Sequence, residues 1–232
     1  DIAAAVAASD VLVDFTRPAG TLAHLAACRA ARKAIVIGTT GFEAAQVDAI
    51  REAARDIAVV FAPNFAIGML VTFKLVEMAS RALGAAYDVE VFEAHHKLKV
   101  DAPSGTALKL GEVAAAARGT TLAQDGVFAR HGVTGERKAG SIGFSVVRGG
   151  DMIGDHTVYF IGTGERVEVT HRSSSRATYA QGAIRAAIAL LQDGGILALK
   201  GLGGYQLACN ALDAAAVDRL RERKRRNNKA FA

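Results

Sequence analysis

Three short, almost unbroken apolar runs constrain this chain more than any other feature: Val11-Leu12-Val13, Ala34-Ile35-Val36-Ile37 and Ile57-Ala58-Val59-Val60-Phe61. Stretches of helical length lie between and after them, at residues 20–31, 42–55 and 67–83, and residues 1–9 read as the end of a further helix. Strands with no polar alternation are buried on both faces. Strands that alternate with helices predict a parallel sheet covered on both sides. In the helix over 20–31, Leu22, Leu25, Ala26 and Ala30 mark the expected apolar side, with Arg29 falling on the same side.

Each apolar run ends in small or polar residues: Thr16-Arg17, Gly38-Thr39-Thr40, and Ala62-Pro63-Asn64-Phe65. Ligands of open α/β sheets bind beyond the carboxyl ends of the strands, which makes these segments candidates for one crevice. Taken alone, Gly38-Thr39-Thr40 is equally a tight turn. A dinucleotide-binding half-fold opens with strand, G-x-G-x-x-G and helix. That fingerprint is absent from these 232 residues; Gly162-Thr163-Gly164 and Gly201-Leu202-Gly203-Gly204 both fail at the third glycine. The expectation is the second half of a Rossmann-type sheet, in a sequence truncated ahead of residue 1.

Further along, residues 87–92 read as a strand and 107–118 as a helix. Strand-like runs follow at 127–131, 141–147, 156–161 and 166–171, with Gly149-Gly150-Asp151 and Gly162-Thr163-Gly164 as turn material. Runs this close together predict a mixed, mainly antiparallel sheet. Ser173-Ser174-Ser175 offers caps for a helix over 176–191, with Ala180, Ala183, Ile184, Ala187, Ile188 and Leu191 on one face. The fold class is therefore α/β: a partial Rossmann-type parallel sheet plus an α+β domain. The expected domains are 1–65, with 176–232 packing back on it, and 66–175.

The densest chemistry lies in Glu93-Ala94-His95-His96-Lys97-Leu98-Lys99-Val100-Asp101-Ala102-Pro103-Ser104-Gly105-Thr106. Two imidazoles, two ammonium groups and two carboxylates share one connection that ends at a helix start. Ser104 is the expected N-cap. A helix start exposes unpaired N–H groups and the positive end of the dipole, so it attracts anions. Gly105 lets a ligand approach the main chain. Lys99 supplies a positive charge, and His95 and His96 carry protons near neutral pH. The combination points to a small carboxylate-bearing substrate undergoing proton-coupled chemistry.

From His95 to Thr106 this segment resembles the signature of the dihydrodipicolinate reductase (4-hydroxy-tetrahydrodipicolinate reductase) family. Asp14-Phe15-Thr16-Arg17-Pro18, Ile37-Gly38-Thr39-Thr40-Gly41-Phe42 and Ala62-Pro63-Asn64-Phe65 resemble its cofactor-side segments. Gly135-Glu136-Arg137, Val147-Arg148-Gly149-Gly150-Asp151, Gly154-Asp155-His156-Thr157 and Thr170-His171-Arg172-Ser173-Ser174-Ser175-Arg176 resemble its C-terminal sheet. The likeness runs from about Val11 to Leu191. It implies reduction of 4-hydroxy-tetrahydrodipicolinate by NADPH or NADH, a small dicarboxylate substrate, a homotetramer and a cytoplasmic enzyme of lysine biosynthesis. It places His95 at the family's proton donor/acceptor and Lys99 at its proton donor. His96, Ser104, Gly105 and Thr106 fall in its substrate-binding region. Arg17, Gly38, Thr39, Thr40, Ala62, Pro63, Asn64 and Phe65 fall on its cofactor side.

Other readings stand beside these. His131, His156 and His171 read as structural or surface groups. Arg148 and Arg172 either neutralise substrate charge or pair within the sheet. Asp101 reads as orienting the loop. A metal site on Glu93, His95, His96 and Asp101 is the competing enzyme chemistry, but adjacent histidines point differently and neither has an i, i+4 His partner. No metal is expected. The competing non-enzyme reading is an inactive remnant or binding protein that keeps the dicarboxylate site without competent cofactor binding.

The net charge of +5 is concentrated at one end: residues 219–232 hold seven basic residues and one acid, leaving −1 for the remainder. A nearly neutral body argues against nucleic acid as a partner. No apolar run is long enough to span a bilayer, so no membrane partner is expected. Cys28 and Cys209 lack metal-ligand spacing and read as reduced thiols. Residues 194–232 depart from the reductase pattern. An amphipathic helix over 213–226, running into a solvated basic tail, is the expectation there.

Overall fold

The computed structural model describes residues 1–191, 196–201, 204–209 and 218–220. In chain order the elements are α1 (Ile2–Ala7), β1 (Val11–Asp14), α2 (Pro18–Ala30), β2 (Ala34–Ile37), α3 (Ala44–Ala53), β3 (Val59–Phe61), α4 (Ile67–Leu83), β4 (Asp88–His95), α5 (Gly105–Ala117), α6 (Leu122–Asp125), β5 (Gly126–Val127), β6 (Ile142–Arg148), β7 (Gly154–Ile161), β8 (Arg166–Ser173), α7 (Ala177–Ala189), β9 (Ile196–Gly201) and β10 (Gly204–Cys209). They form two compact units: Asp1–Ala62 with Ala180–Ala232, and Pro63–Tyr179.

The first unit holds a sheet in the order β10-β9-β1-β2-β3. β1 pairs in parallel with β2 and β9, β2 pairs in parallel with β3, and β10 runs antiparallel to β9. All four residues of β1 are buried, as continuous apolar strands require. The core gathers Val6, Leu12, Leu25, Cys28, Ile35, Ile37 and Ile50. Burial, followed by the charge of Asp14, pushes the Cys28 thiol up to about 12, so it remains protonated and inert.

Two expectations in this unit are corrected. Helix α2 buries Thr21, Leu25 and Cys28, while Ala26 and Ala30 are exposed. In an alanine-rich helix, small side chains carry little patterning, and the burying face follows the larger Leu25 and Cys28. Arg29 turns outward and pairs with Asp56. Secondly, residues 196–201 and 204–209 are strands at the edge of the parallel sheet, where no element was expected. Of the helix expected over 213–226, residues 218–220 are helical and the others lie outside the described residues.

The second unit holds a mixed sheet, β5-β6-β4-β7-β8. Its central strand β4 has a parallel neighbour, β6, and an antiparallel one, β7; β8 runs antiparallel to β7, and β5 parallel to β6. Helices α4 and α5 contribute Met69, Val76, Ala107, Leu110 and Ala114 to a core shared with Val89, Val91, Ile142, Phe144, Val158 and Phe160. Strand β4 continues to His95, three residues beyond the expected end. Hydrogen-bonded partners on both sides carry the ladder past Phe92 despite the charged side chain of Glu93. Helix α7, which belongs to the first unit from Ala180 onward, buries Ala183 and Ala187, whereas Ala180 and Ile188, expected on the same face, are exposed.

Candidate active site

Alternation along β4 puts Glu93 and His95 on one face of the sheet. The register then adds two more residues to that face, because Glu93 stands opposite His156 of β7 and His95 opposite Arg148 of β6. Glu93 is fully buried, and its carboxylate is heavily engaged. Oε1 accepts from Arg148 Nη2 at 2.7 Å and from the Ser104 N–H at 3.0 Å; Oε2 accepts from Arg148 Nη1 at 3.0 Å and from His95 Nδ1. Burial pushes the Glu93 carboxyl up, but the hydrogen bonds from His95 and Arg148, the charge of His95 and the Ser104 amide outweigh it, and the group lies at about 2. It is an anion throughout the neutral range.

Arg148 also donates to the Asp101 carbonyl at 2.7 Å, and so ties the returning loop to the sheet. The Gly149 N–H donates to the His95 carbonyl at 3.0 Å, and the Lys97 N–H to the Gly150 carbonyl at 3.2 Å. Lys99 Nζ lies 2.7 Å from Asp101 Oδ1, with both side chains partly exposed. The Ala102–Pro103 peptide is cis.

Ser104 caps α5 as expected: its Oγ accepts from the Ala107 N–H at 3.2 Å. The same Oγ lies 3.2 Å from His156 Nε2. His156 is buried, with its ring edge-on to that of His95 at a centroid distance of 5.1 Å. Burial first, then the charge of His95, pulls His156 down to about 3, so it is neutral. His156 thus lies against His95 and the α5 cap as a buried, neutral group, in keeping with the structural reading of it rather than the surface one. Its place opposite Glu93 needs the strand register. Thr106 Oγ1 lies within 3.4 Å of the Pro63 carbonyl and 3.2 Å of Asn64 Nδ2, and Asn64 Oδ1 accepts from the Ala66 N–H at 2.8 Å. Pro63, Asn64 and Phe65, read as cofactor-side residues, thus belong to the unit that holds Thr106. His96 is partly exposed; burial and then the positive field of Arg176, His95, Lys99 and Arg148 hold its pKa down.

Glu93, His95 and His156 offer atoms within 4.8 Å of one another, the spacing of a metal site. The donor set does not fit one. The carboxylate already accepts four hydrogen bonds, two of them from a guanidinium that would sit beside the cation.

In the first unit, Asp14 ends β1 fully buried. It accepts from the Thr16 N–H at 2.8 Å and the Thr16 hydroxyl at 2.7 Å, and lies 2.9 Å from His24 Nδ1 and 3.4 Å from Thr39 Oγ1. Thr39 Oγ1 also lies 2.9 Å from Thr21 Oγ1. The Gly38 N–H donates to the Asp14 carbonyl at 2.8 Å, and the Ala62 N–H to the Ile37 carbonyl at 3.2 Å. The Phe15 ring lies over Gly38 so closely that a Cβ there would meet it at 2.2 Å. Arg17 is exposed at the N-cap of α2, with Thr40 partly exposed beyond β2. The segments Thr16-Arg17 and Gly38-Thr39-Thr40 are thus brought together at the carboxyl ends of β1 and β2.

A Rossmann-type parallel sheet in one unit, and in the other a corner of imidazoles, Lys99 and Arg148 at a helix start, are the architecture of an α/β oxidoreductase. Residues 1–65 match the family model described as dihydrodipicolinate reductase, N-terminus, and residues 68–202 match the C-terminus of the same family. The chain belongs to the dihydrodipicolinate reductase family. The 4-hydroxy-tetrahydrodipicolinate reductase of Aromatoleum aromaticum is 60% identical over 187 residues, 81% of this chain and 68% of the relative. That of Bordetella pertussis is 58% identical over 201 residues, 86% and 75% of the two chains. A solved dihydrodipicolinate reductase from Paenisporosarcina sp. TG-14, described as dipicolinate-bound, is 29% identical with a TM-score of 0.55, over 79% of this chain and 69% of that one. Residues 189–232 match a different model, described as telomere recombination. The reductase model itself runs to residue 202, past the departure expected from residue 194, so the two models overlap over residues 189–202 and only the residues beyond 202 lie outside the reductase match.

Proposed function

We propose that this chain reduces 4-hydroxy-tetrahydrodipicolinate to tetrahydrodipicolinate, with loss of water, at the expense of NADPH or NADH in diaminopimelate and lysine biosynthesis. The relatives carry that activity in their names, and a solved relative binds dipicolinate, a ring dicarboxylate of the same shape class. The observation that carries the reading is the corner itself. His95 shares the Glu93 carboxylate with the Ser104 amide at the N-terminus of α5, whose first amides have no intrahelical acceptor, and Lys99 pairs with Asp101 three residues before that cap.

In this reading the amides of Gly105 and Thr106 and the Ser104 cap region hold one substrate carboxylate at the positive end of α5. His96 contributes to the same binding. Asp101 holds the ammonium of Lys99 in place, and Lys99 gives a proton to the reacting ring. His95 donates or accepts a proton through Nε2, since Nδ1 is committed to Glu93. When bound, the reduced nicotinamide supplies the hydride. The residues suited to hold that cofactor are Arg17, Gly38, Thr39, Thr40, Ala62, Pro63, Asn64 and Phe65. An exposed guanidinium at a helix start and the half-exposed ring of Phe15 suit phosphate and a flat heterocycle. The first unit is then the dinucleotide-binding domain, and the second carries substrate and the contacts of a homotetramer in the cytoplasm. No helix among the described residues is long and apolar enough to cross a membrane.

The test is oxidation of NADPH or NADH by the purified chain, dependent on freshly generated 4-hydroxy-tetrahydrodipicolinate. Turnover is expected with at least one nucleotide. A folded protein that binds dipicolinate but oxidises neither nucleotide would reject the reading.

A further inference from the structure

Nothing in the family resemblance assigns a role to Glu93 or Arg148, yet both converge on the imidazole that the proposed reaction uses. Glu93 is fully buried two residues before His95 on the same strand face. Both of its oxygens are held by the Arg148 guanidinium in a fork, at 2.7 and 3.0 Å. The Ser104 N–H adds a third fixed donor at 3.0 Å. Four donors on two buried oxygens leave the carboxylate no freedom to rotate.

An ionised carboxylate accepts and cannot donate. The proton in the His95–Glu93 hydrogen bond therefore resides on His95 Nδ1, and Nε2 is left as the nitrogen that can exchange. The ring also packs edge-on against that of His156, with 5.1 Å between centroids, and the main chain that carries it is held where the Gly149 amide donates to the His95 carbonyl. Gly154 completes the arrangement: a Cβ there would lie 3.0 Å from His95 Nε2 and 3.3 Å from Tyr179 Oη, so a side chain would crowd that nitrogen.

We propose that Glu93 and Arg148 are positioning residues, which lock His95 as the Nδ1–H tautomer and present its Nε2 to the substrate. The proposal rests on the functional reading above for what Nε2 does, but not for which nitrogen is protonated. Glu93 touches neither substrate nor cofactor; it acts through His95. The charged and titratable groups around that ring include Glu93 on its own strand, Arg148 from β6, His156 from β7, Tyr179 from α7 beside Gly154, and His96 and Lys99 in the loop that follows.

The test is Glu93→Gln, read by long-range ¹H–¹⁵N spectra of the histidine rings and by steady-state kinetics across pH. The amide of Gln can turn its NH₂ toward His95 Nδ1, which then has to accept. The expected result is a native-like chain in which His95 changes to the Nε2–H tautomer. Its kcat falls about 100-fold or more with KM little changed, as when an orienting carboxylate is removed from a catalytic imidazole. An unchanged tautomer with kcat within about threefold of the parent would overturn the proposal. Should Glu93→Gln fail to fold, Arg148→Lys keeps the charge but loses the fork, and an intermediate loss of kcat with mixed His95 tautomers is expected. The substrate-free parent chain gives a separate reading: Nε2–H on His95 overturns positioning. Nδ1–H on His95 in a chain without reductase activity supports positioning and rejects the assigned reaction instead.

Discussion

Arg148 grips Glu93 with both terminal nitrogens, Nη2 to Oε1 at 2.7 Å and Nη1 to Oε2 at 3.0 Å, across the parallel pair β4–β6. Only 19% of the arginine side chain and none of the glutamate side chain is accessible, so water cannot replace a lost partner at the carboxylate. Truncating one member of such a pair leaves an uncompensated buried charge, which costs roughly 3–5 kcal/mol. Arg148→Met is therefore expected to lower the stability of the second unit by about 3 kcal/mol in urea titration. Arg148→Met combined with Glu93→Met should recover much of that loss, because the double change removes the stranded charge. Equal destabilisation by the single and double variants would contradict this account.

The buried carboxylate and the buried imidazole both make the fold acid-sensitive, in different windows. His156 is held down at about 3 from an ordinary value of 6.5, so between those limits the unfolded chain binds a proton that the folded chain refuses. Stability is complete above about 6.5 and falls as pH drops toward 3, by up to about 2 kcal/mol between pH 6.5 and 5. Glu93, lowered from 4.5 to about 2, adds a second loss that begins only below its unfolded value. Urea titrations at pH 7, 6 and 5 should show the first decline. His156→Gln should make it clearly shallower, with His96 and His171, both also held below the ordinary value by burial first, supplying the remainder, while the loss below pH 4.5 stays. A decline of the same slope in His156→Gln would assign the effect to another group.

Most elements of both units were legible because apolar run length and helix punctuation are local properties. The three continuous runs became β1, β2 and β3, and Ser104 caps α5. The cluster around His95 was legible only in part. His95, Lys99 and Ser104 lie close in sequence, whereas Arg148 and His156 join them through strand register, which no local pattern specifies. Arg148 could be read only as neutralising substrate or pairing in the sheet, and its carboxylate partner had been considered as a metal ligand. The burying side of α2 was misread because alanines on opposite sides of a helix look alike, and the decision fell to Thr21, Leu25 and Cys28. Strands β9 and β10 lie in the segment that departs from the reductase pattern, and Gly201, Gly203 and Gly204 punctuate its apolar residues, so no local strand signal stands out there.

Gly38 and Phe15 offer a test in the first unit that does not involve the corner around His95. A methyl group at residue 38 would sit 2.2 Å from the Phe15 ring, far inside contact distance. Phe15 is 44% exposed, so the ring can swing away at modest cost. Gly38→Ala should therefore fold, with Tm lowered by no more than a few degrees, while NADPH affinity falls about tenfold if the two segments form the cofactor surface. Removing the ring should lessen the added effect of the methyl: in Phe15→Ala, Gly38→Ala should cost less affinity than in the parent. Calorimetric titration of all four forms measures the coupling. Additive losses would mean that the ring and the turn act independently.

Lys99 separates a charge role from a proton role. Its ammonium sits 2.7 Å from Asp101 Oδ1 in a pair with partial solvent access, so its removal should cost the fold only about 0–1 kcal/mol. Lys99→Ala is expected to melt near the parent while kcat falls by about 100-fold or more, the usual contribution of a positioned acid. Lys99→Arg discriminates further. A guanidinium keeps the positive charge and can still meet Asp101, but it does not release a proton in the working range. If Lys99 only holds a carboxylate, Lys99→Arg should retain most of kcat. If Lys99 delivers a proton, Lys99→Arg should keep KM near the parent value while kcat falls as far as in Lys99→Ala. The second pattern is the one expected here, because in the proposed reading the amides at the start of α5 hold the substrate carboxylate and the reaction still needs a donor.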